Sequence, residues 1–360
     1  MALYEERFQK EMTRLRDEVF RLGEMTEEAL QNATQAVLLK DEALANQVII
    51  GDQRINRQHK AVHRLVLAFI VKHSPSAGHL RQVISVLELI SELERIGDYA
   101  VTIGREAINI SQPITGPIRT EMEQMVEESR TMLHQAMTAF RDGDAGLARG
   151  TEIIADQVER DLDRAFEHLV ELGDKCQGRS KDLLDLSSIF YMLERVSDRS
   201  KNICEETLFV VTGEEKPEKI HKILFIDQDG GVLAPMALAI AQKMHPASIK
   251  GFCAGNEPAA QLDSAMASFM KAHGHDLTHI AAQGVERLDL HAIRVIVSLN
   301  APVRSLIPAI PFHAAYFEWN VGPLPGEGGD ASKRFEEIHR ALAQNISQLM
   351  ETLRGEAEGG

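Results

Sequence analysis

The chain has 360 residues, 44% of them hydrophobic, and a formal net charge of −15 at pH 7, enough for two or three domains with cores but too acidic for a general nucleic-acid binder, which clusters Lys and Arg. Its three cysteines, Cys176, Cys204 and Cys253, form no CxxC pair, which argues against a disulfide framework or a thiolate zinc site and for a reducing cytoplasm. No apolar run reaches the roughly 18 residues of a membrane span, and the charged, amphipathic start is no signal segment.

From residue 1 to about 212 the apolar period is helical. Phe8, Met12, Leu15, Val19 and Leu22 step by 4, 3, 4 and 3 along one face. Breaks near Lys40–Asp41, at His73–Gly78, Gln112–Pro117, Asp142–Asp144 and Gly173–Ser180 divide this region into six long helices in two sets of three, 1–112 and 113–212. Residues 213–220 are polar, with Gly213 and Pro217, and read as a linker.

After the linker the pattern changes. Lys222–Ile226 is a short apolar strand, followed by a loop with Gly230 and Gly231 and a helix from about Pro235. Ile249–Cys253, Arg294–Leu299 and His313–Phe317 are further predicted strands, and 258–273 and 331–354 predicted helices. Alternation of strand and helix over 221–354 implies a small parallel-sheet α/β domain. The fold class is therefore multidomain α plus α/β: two tandem three-helix bundles, then the α/β domain. Residues 355–360 are expected to be a disordered tail.

One motif occurs twice. Glu94-Arg95-Ile96-Gly97-Asp98 returns 100 residues later as Glu194-Arg195-Val196-Ser197-Asp198. On a helix, residues i and i+4 share a face, and two like charges there repel. A bound cation would relieve that repulsion. Asp52 and Asp156 recur upstream of the two copies, so each repeat offers a set of carboxylates, Asp52, Glu94 and Asp98 in one and Asp156, Glu194 and Asp198 in the other. Such oxygen donors suit Mg, Ca, Mn or Fe. The alternative is a salt bridge from Arg95 or Arg195 to the neighbouring acids.

On Leu93–Gly104, Leu193–Cys204 and the upstream His73–Arg81 segment, residues 1–212 resemble the PhoU family. The resemblance implies two three-helix bundles whose acidic motifs hold metal clusters, commonly iron or zinc, with Glu94, Asp98, Glu194 and Asp198 as ligands. It also implies a non-enzymatic adaptor, often a homodimer, between the phosphate ABC transporter ATPase and a sensor histidine kinase. The second-helix acids depart from the family pattern: Asn56 follows Asp52 at i+4, and Arg160 follows Asp156, where it could stand in for a cation. His79 replaces a frequent Asp.

Residues 221–354 resemble the low-molecular-weight tyrosine phosphatase and arsenate reductase family. The resemblance rests on Lys222–Ile226, Pro235-Met236-Ala237, Cys253-Ala254-Gly255-Asn256, Gly274-His275-Asp276-Leu277 and Trp319–Pro323. That family's C-x5-R loop reads here Asp227-Gln228-Asp229-Gly230-Gly231-Val232-Leu233, so nucleophile and anion clamp are replaced by Asp227 and Leu233. The late Asp-Pro acid is also missing, with Gly322-Pro323-Leu324 in its place. The expectation is an inactive domain, with Asp227, Asp229, Gly230 and Gly231 as a possible ligand loop. Asp227-x-Asp229-Gly230 after a strand also resembles the nucleophile loop of Mg-dependent haloacid-dehalogenase-type phosphatases.

The main expectation is a cytoplasmic regulator of phosphate transport and phosphate-responsive signalling that binds metal through the repeated motif. It binds no nucleic acid and inserts in no membrane. The alternatives are an Mg-dependent phosphatase using Asp227 and Asp229, or a metal-storage protein. Trp319 is expected to pack on the sheet, Cys253 to be an ordinary buried cysteine, and His273, His275 and His279 to be solvated.

Overall fold

The structure is a computed structural model. It describes residues 2–175, 180–213, 220–311, 313–324 and 331–354, and the chain divides into two compact units, 1–217 and 218–360. Cys176, most of the expected linker and the expected tail lie outside the described residues.

The first unit is six helices: α1 (Ala2–Leu39), α2 (Glu42–His73), α3 (Ala77–Asn109), α4 (Pro117–Asp142), α5 (Ala145–Lys175) and α6 (Ser180–Thr212). Their ends follow local chemistry. Asp41 accepts the Leu44 N–H at 3.0 Å to start α2, and Asp144 accepts the Leu147 N–H at 2.9 Å to start α5. α2 stops at Ser74, which takes a left-handed conformation just before Pro75.

The predicted stripe of α1, from Phe8 to Leu22, is buried. α3 and α6 form the centre: Leu89, Ile90, Leu93, Ile96 and Ile103 of one, and Ile189, Phe190, Leu193, Val196 and Ile203 of the other, are wholly buried. A single apolar core runs through both sets of three helices. Gly97, inside the first motif, lets α2 lie close, because a Cβ there would come within 3.2 Å of Ile55. That approach brings Asp52 beside the motif.

The second unit holds β1 (His221–Asp227), α7 (Leu233–Met244), β2 (Ile249–Gly255), α8 (Ser264–Ala272), β3 (Val295–Leu299), α9 (Val303–Leu306), β4 (Ala315–Trp319) and α10 (Ala331–Arg354). The strands form one parallel sheet in the order β2-β1-β3-β4. Ile223 and Phe225 of β1 face the core shared with α7, α8 and α10, while Leu224 and Ile226 face Val303 and Leu306 on the other side. This alternation is what a sheet buried on both faces requires.

Two predicted elements shift. The helix expected over 258–273 starts at Ser264, because Asp263 accepts the Met266 N–H at 2.7 Å and caps it there. The preceding segment is instead tied to the loop after β1, by Ala259 N–H to Asp229 O and Asp263 N–H to Gly231 O. The last strand begins two residues later than expected, in register with Val295–Leu299. Trp319 is half-buried on the sheet, 6.3 Å ring to ring from Phe225.

Candidate functional site

The two copies of the acidic motif sit on the central helices α3 and α6, and their surroundings differ. In the first repeat, burial pushes the Asp98 carboxyl up, with further push from Glu94 and then Asp52. Glu94 and Asp52 are therefore both close enough to act on Asp98. Asn56 donates to Asp52 Oδ2 at 2.7 Å. Among the described residues, no Lys, Arg or His forms an ion pair with Asp52, Glu94 or Asp98; Arg95 is exposed, and Arg105 and Arg95 pull the Asp98 carboxyl only part of the way back.

In the second repeat the cation is built in. Arg195 Nε lies 2.7 Å from Glu194 Oε2, its Nη2 2.9 Å from Glu194 Oε1, and the same Nη2 3.2 Å from Asp198 Oδ2. The guanidinium also stacks over Tyr191, 5.0 Å from the ring centre. Burial pushes the Glu194 carboxyl up, and Arg195 offsets only part of that. Arg160, which could have stood in for a cation, instead donates to Gln157 Oε1 at 2.7 Å. Asp156 is exposed on α5.

Among the described residues, no group of three or more His, Cys, Asp or Glu side chains is arranged to hold a metal ion. The first repeat nevertheless has the donor chemistry for a hard cation: neighbouring carboxylates that, among the described residues, no cationic side chain bridges, although Arg105 and Arg95 lie near Asp98. In the second repeat, Arg195 already supplies the positive charge.

A polar cluster between α4 and α5 was not predicted. Asp161 is wholly buried, and Gln124 and Gln157 donate to it at 2.6 and 2.7 Å, while Arg164 also bonds it. Burial pushes the neighbouring Glu128 carboxyl up to about 7, against the pull of Gln124. Its one sequence signal is an Asp placed within the apolar stripe Val158, Leu162, Ala165.

In the second unit, Asp227 ends β1 with 4% of its surface exposed. Its Oδ2 accepts the Ala234 N–H at 2.9 Å, and its Oδ1 accepts the Gly230 N–H. Asp229 Oδ1 accepts the Gly231 N–H at 2.8 Å. Gly230 has φ 62°, and a Cβ there would come 2.7 Å from Gly255 N, so the loop closes tightly over the end of β2. The N–H groups at the start of α7 thus point at the chain's own carboxylate. Burial pushes Asp227 up, and these N–H groups pull it back. Cys253, pushed up to about 12 by burial, is an ordinary thiol.

Of the three histidines expected to be solvated, His273 and His279 are exposed and His275 is not. His275 is buried, with Nε2 2.9 Å from Nε2 of His339 on α10. His273 Nδ1 bonds the Phe269 carbonyl at 2.8 Å.

The PhoU domain family matches residues 19–107 and 122–207. The phosphate-specific transport system accessory protein PhoU of Serratia marcescens is 29% identical over 212 residues, covering 58% of this chain and 86% of that protein. The crystal structure of PhoU from Pseudomonas aeruginosa is 27% identical with a TM-score of 0.55, covering 57% of this chain and all of that one. A low-molecular-weight protein tyrosine phosphatase from T. tengcongensis is also similar, with 18% identity and a TM-score of 0.32, covering 37% of this chain and 99% of that one. Among the described residues, no helix is long and apolar enough to cross a membrane. With the two matched stretches laid over them, the six helices of the first unit carry the PhoU domain in two repeats, one over each set of three.

Proposed function

We propose that this chain is a non-enzymatic regulator of phosphate transport and phosphate-responsive signalling. The reading is carried by the two PhoU domains and by relatives named as accessory proteins of the phosphate-specific transport system. The partners in this reading are the phosphate ABC transporter ATPase and a sensor histidine kinase, met in the cytoplasm. The chain also binds a metal ion, and the first repeat is its main site, with Asp52, Glu94 and Asp98 as ligands. Iron fits this all-oxygen donor set better than zinc, which favours nitrogen and sulfur. The bound ion would neutralise three crowded carboxylates and fix α2 against α3.

The second unit acts without catalysis. Both Asp227 oxygens accept backbone N–H groups in a nearly closed site, so neither is presented to a phosphoryl group as a nucleophile. This weighs against the Mg-dependent phosphatase reading.

Elemental analysis of the purified chain tests the metal site. Glu94→Gln/Asp98→Asn should lose most of the bound metal, and Glu194→Gln/Asp198→Asn little. Equal losses, or a metal-free wild type that takes none up on reconstitution, would reject the assignment. Docking is tested separately, by co-purification with the transporter ATPase of the same cell. Failure to retain the ATPase at any phosphate level would reject the adaptor reading.

A further inference from the structure

We propose that the groove between α1 and α4 binds a phosphate group, with Arg130 as its clamp. The proposal is independent of the acidic motifs.

The two helices run antiparallel here, with Leu38 beside Arg119 at one end and Glu27 beside His134 at the other. Between these ends lies a cavity of about 370 Å³. Leu38, Leu39 and Val126 give it an apolar wall, and Gln31 and Gln35, one turn apart on α1, bring amide groups to its rim. Arg119 and Arg130 line it from the same face of α4, about 16 Å apart along the helix.

Arg130 is the unusual residue. It is half-buried, yet among the described residues it makes no ion pair or hydrogen bond. In a chain of net charge −15, a half-buried arginine would be expected to find a carboxylate. Two of the nearby carboxylates have other partners. Glu27, which lines a smaller adjoining cavity with Arg130, lies 3.3 Å from His134 Nδ1. Glu123 pairs with Arg119 at 2.8 Å. A partly desolvated guanidinium with its donors unused is matched by a bidentate oxyanion, and phosphate has that geometry.

Arg119, whose charge is met by Glu123, closes one end of the groove. Its Nη1 donates to the Leu38 carbonyl at 3.1 Å, which holds the side chain across the end of the groove. The ligand class is a phosphate group, either as free inorganic phosphate or as a phosphomonoester whose organic part lies along the leucines and the glutamine amides. The cavity has room for either.

The test is equilibrium binding to the full chain, in EDTA so that no metal at the acidic motifs contributes, with inorganic phosphate and AMP as probes. Saturable binding is expected, weakened at least tenfold by Arg130→Ala and less by Arg130→Lys, with the thermal midpoint of both variants unchanged. Arg130-dependent binding of inorganic phosphate assigns the site to the free ion. Arg130-dependent binding of AMP without inorganic phosphate assigns it to phosphomonoesters. No saturable binding of either probe, or binding indifferent to Arg130→Ala, overturns the proposal.

Discussion

Thr26 and Ser129 make the same hydrogen bond in the two repeats. Thr26 Oγ1 donates to the Leu93 carbonyl at 3.4 Å, and Ser129 Oγ to the Leu193 carbonyl at 3.1 Å. Each hydroxyl also reaches the carbonyl one turn back on its own helix, and both residues are wholly buried. Leu93 and Leu193 immediately precede the motif glutamates, so the first helix of each repeat is pinned to the third one residue before the acid. Thr26→Val keeps the shape and removes the bond, and should cost about 1 kcal/mol. Ser129→Ala should cost about the same. Urea denaturation measures both, and unchanged midpoints would mean the bonds contribute nothing to stability.

Arg195 distinguishes the second repeat from the first. Arg195→Ala leaves Glu194, with 12% of its side chain exposed, without its charged partner. In EDTA the variant should lose about 2 kcal/mol. It should also take up more metal than wild type, because the acids of the second repeat are then free to bind an ion. A variant as stable as wild type with unchanged metal content would show that Arg195 does not compete with metal there.

Much of this was legible in the sequence because the signals are local and periodic. The stripe from Phe8 to Leu22 and the apolar run Lys222–Ile226 gave helix and strand directly, and the recurrence of Glu94 and Asp98 as Glu194 and Asp198 gave the repeat. What was missed depends on distant partners. His275 meets His339 across 64 residues of sequence, and no pattern around either announces the other. The Arg195 salt bridge, by contrast, was one of the two sequence alternatives, because Arg195 adjoins Glu194 and lies three residues before Asp198. The late start of α8 came from one cap, Asp263, overriding an apolar pattern that continued upstream. β4 has four of its five residues exposed, so it lacked the alternation that marks a half-buried strand.

The Glu128 carboxyl makes stability depend on pH. Burial raises it from the ordinary 4.5 to about 7. The folded chain therefore holds a proton that the unfolded chain releases between those values. This contribution is fully present below about pH 4.5 and is lost as pH rises through about 7. Glu128→Gln is neutral throughout. It should flatten the fall in stability between pH 5 and 7, and leave the chain about 1 kcal/mol more stable than wild type at pH 8, after allowance for the group's partial exposure. Parallel stability-against-pH curves for the two proteins would show that Glu128 titrates normally.

Asp227 and Asp229 should differ sharply, although both lie in one loop and both bond backbone N–H groups. Asp227 uses two oxygens, one for Gly230 and one for Ala234, in a buried site. Asp227→Asn keeps one acceptor and turns an NH2 group toward the other N–H, so a donor faces a donor and both stay unsatisfied, at a cost of about 2 kcal/mol. Asp229 uses one oxygen, for Gly231. Asp229→Asn can keep that bond through its amide oxygen and should change stability by no more than about 0.5 kcal/mol. Trp319 is the sole tryptophan and lies in the second unit, so its fluorescence during denaturation reports on that unit alone. Equal effects from the two variants would mean that the loop is not organised around Asp227. A large effect confined to Asp227→Asn would fit a carboxylate retained to fill the N–H cradle at the start of α7, where it satisfies the donors that an external anion would need.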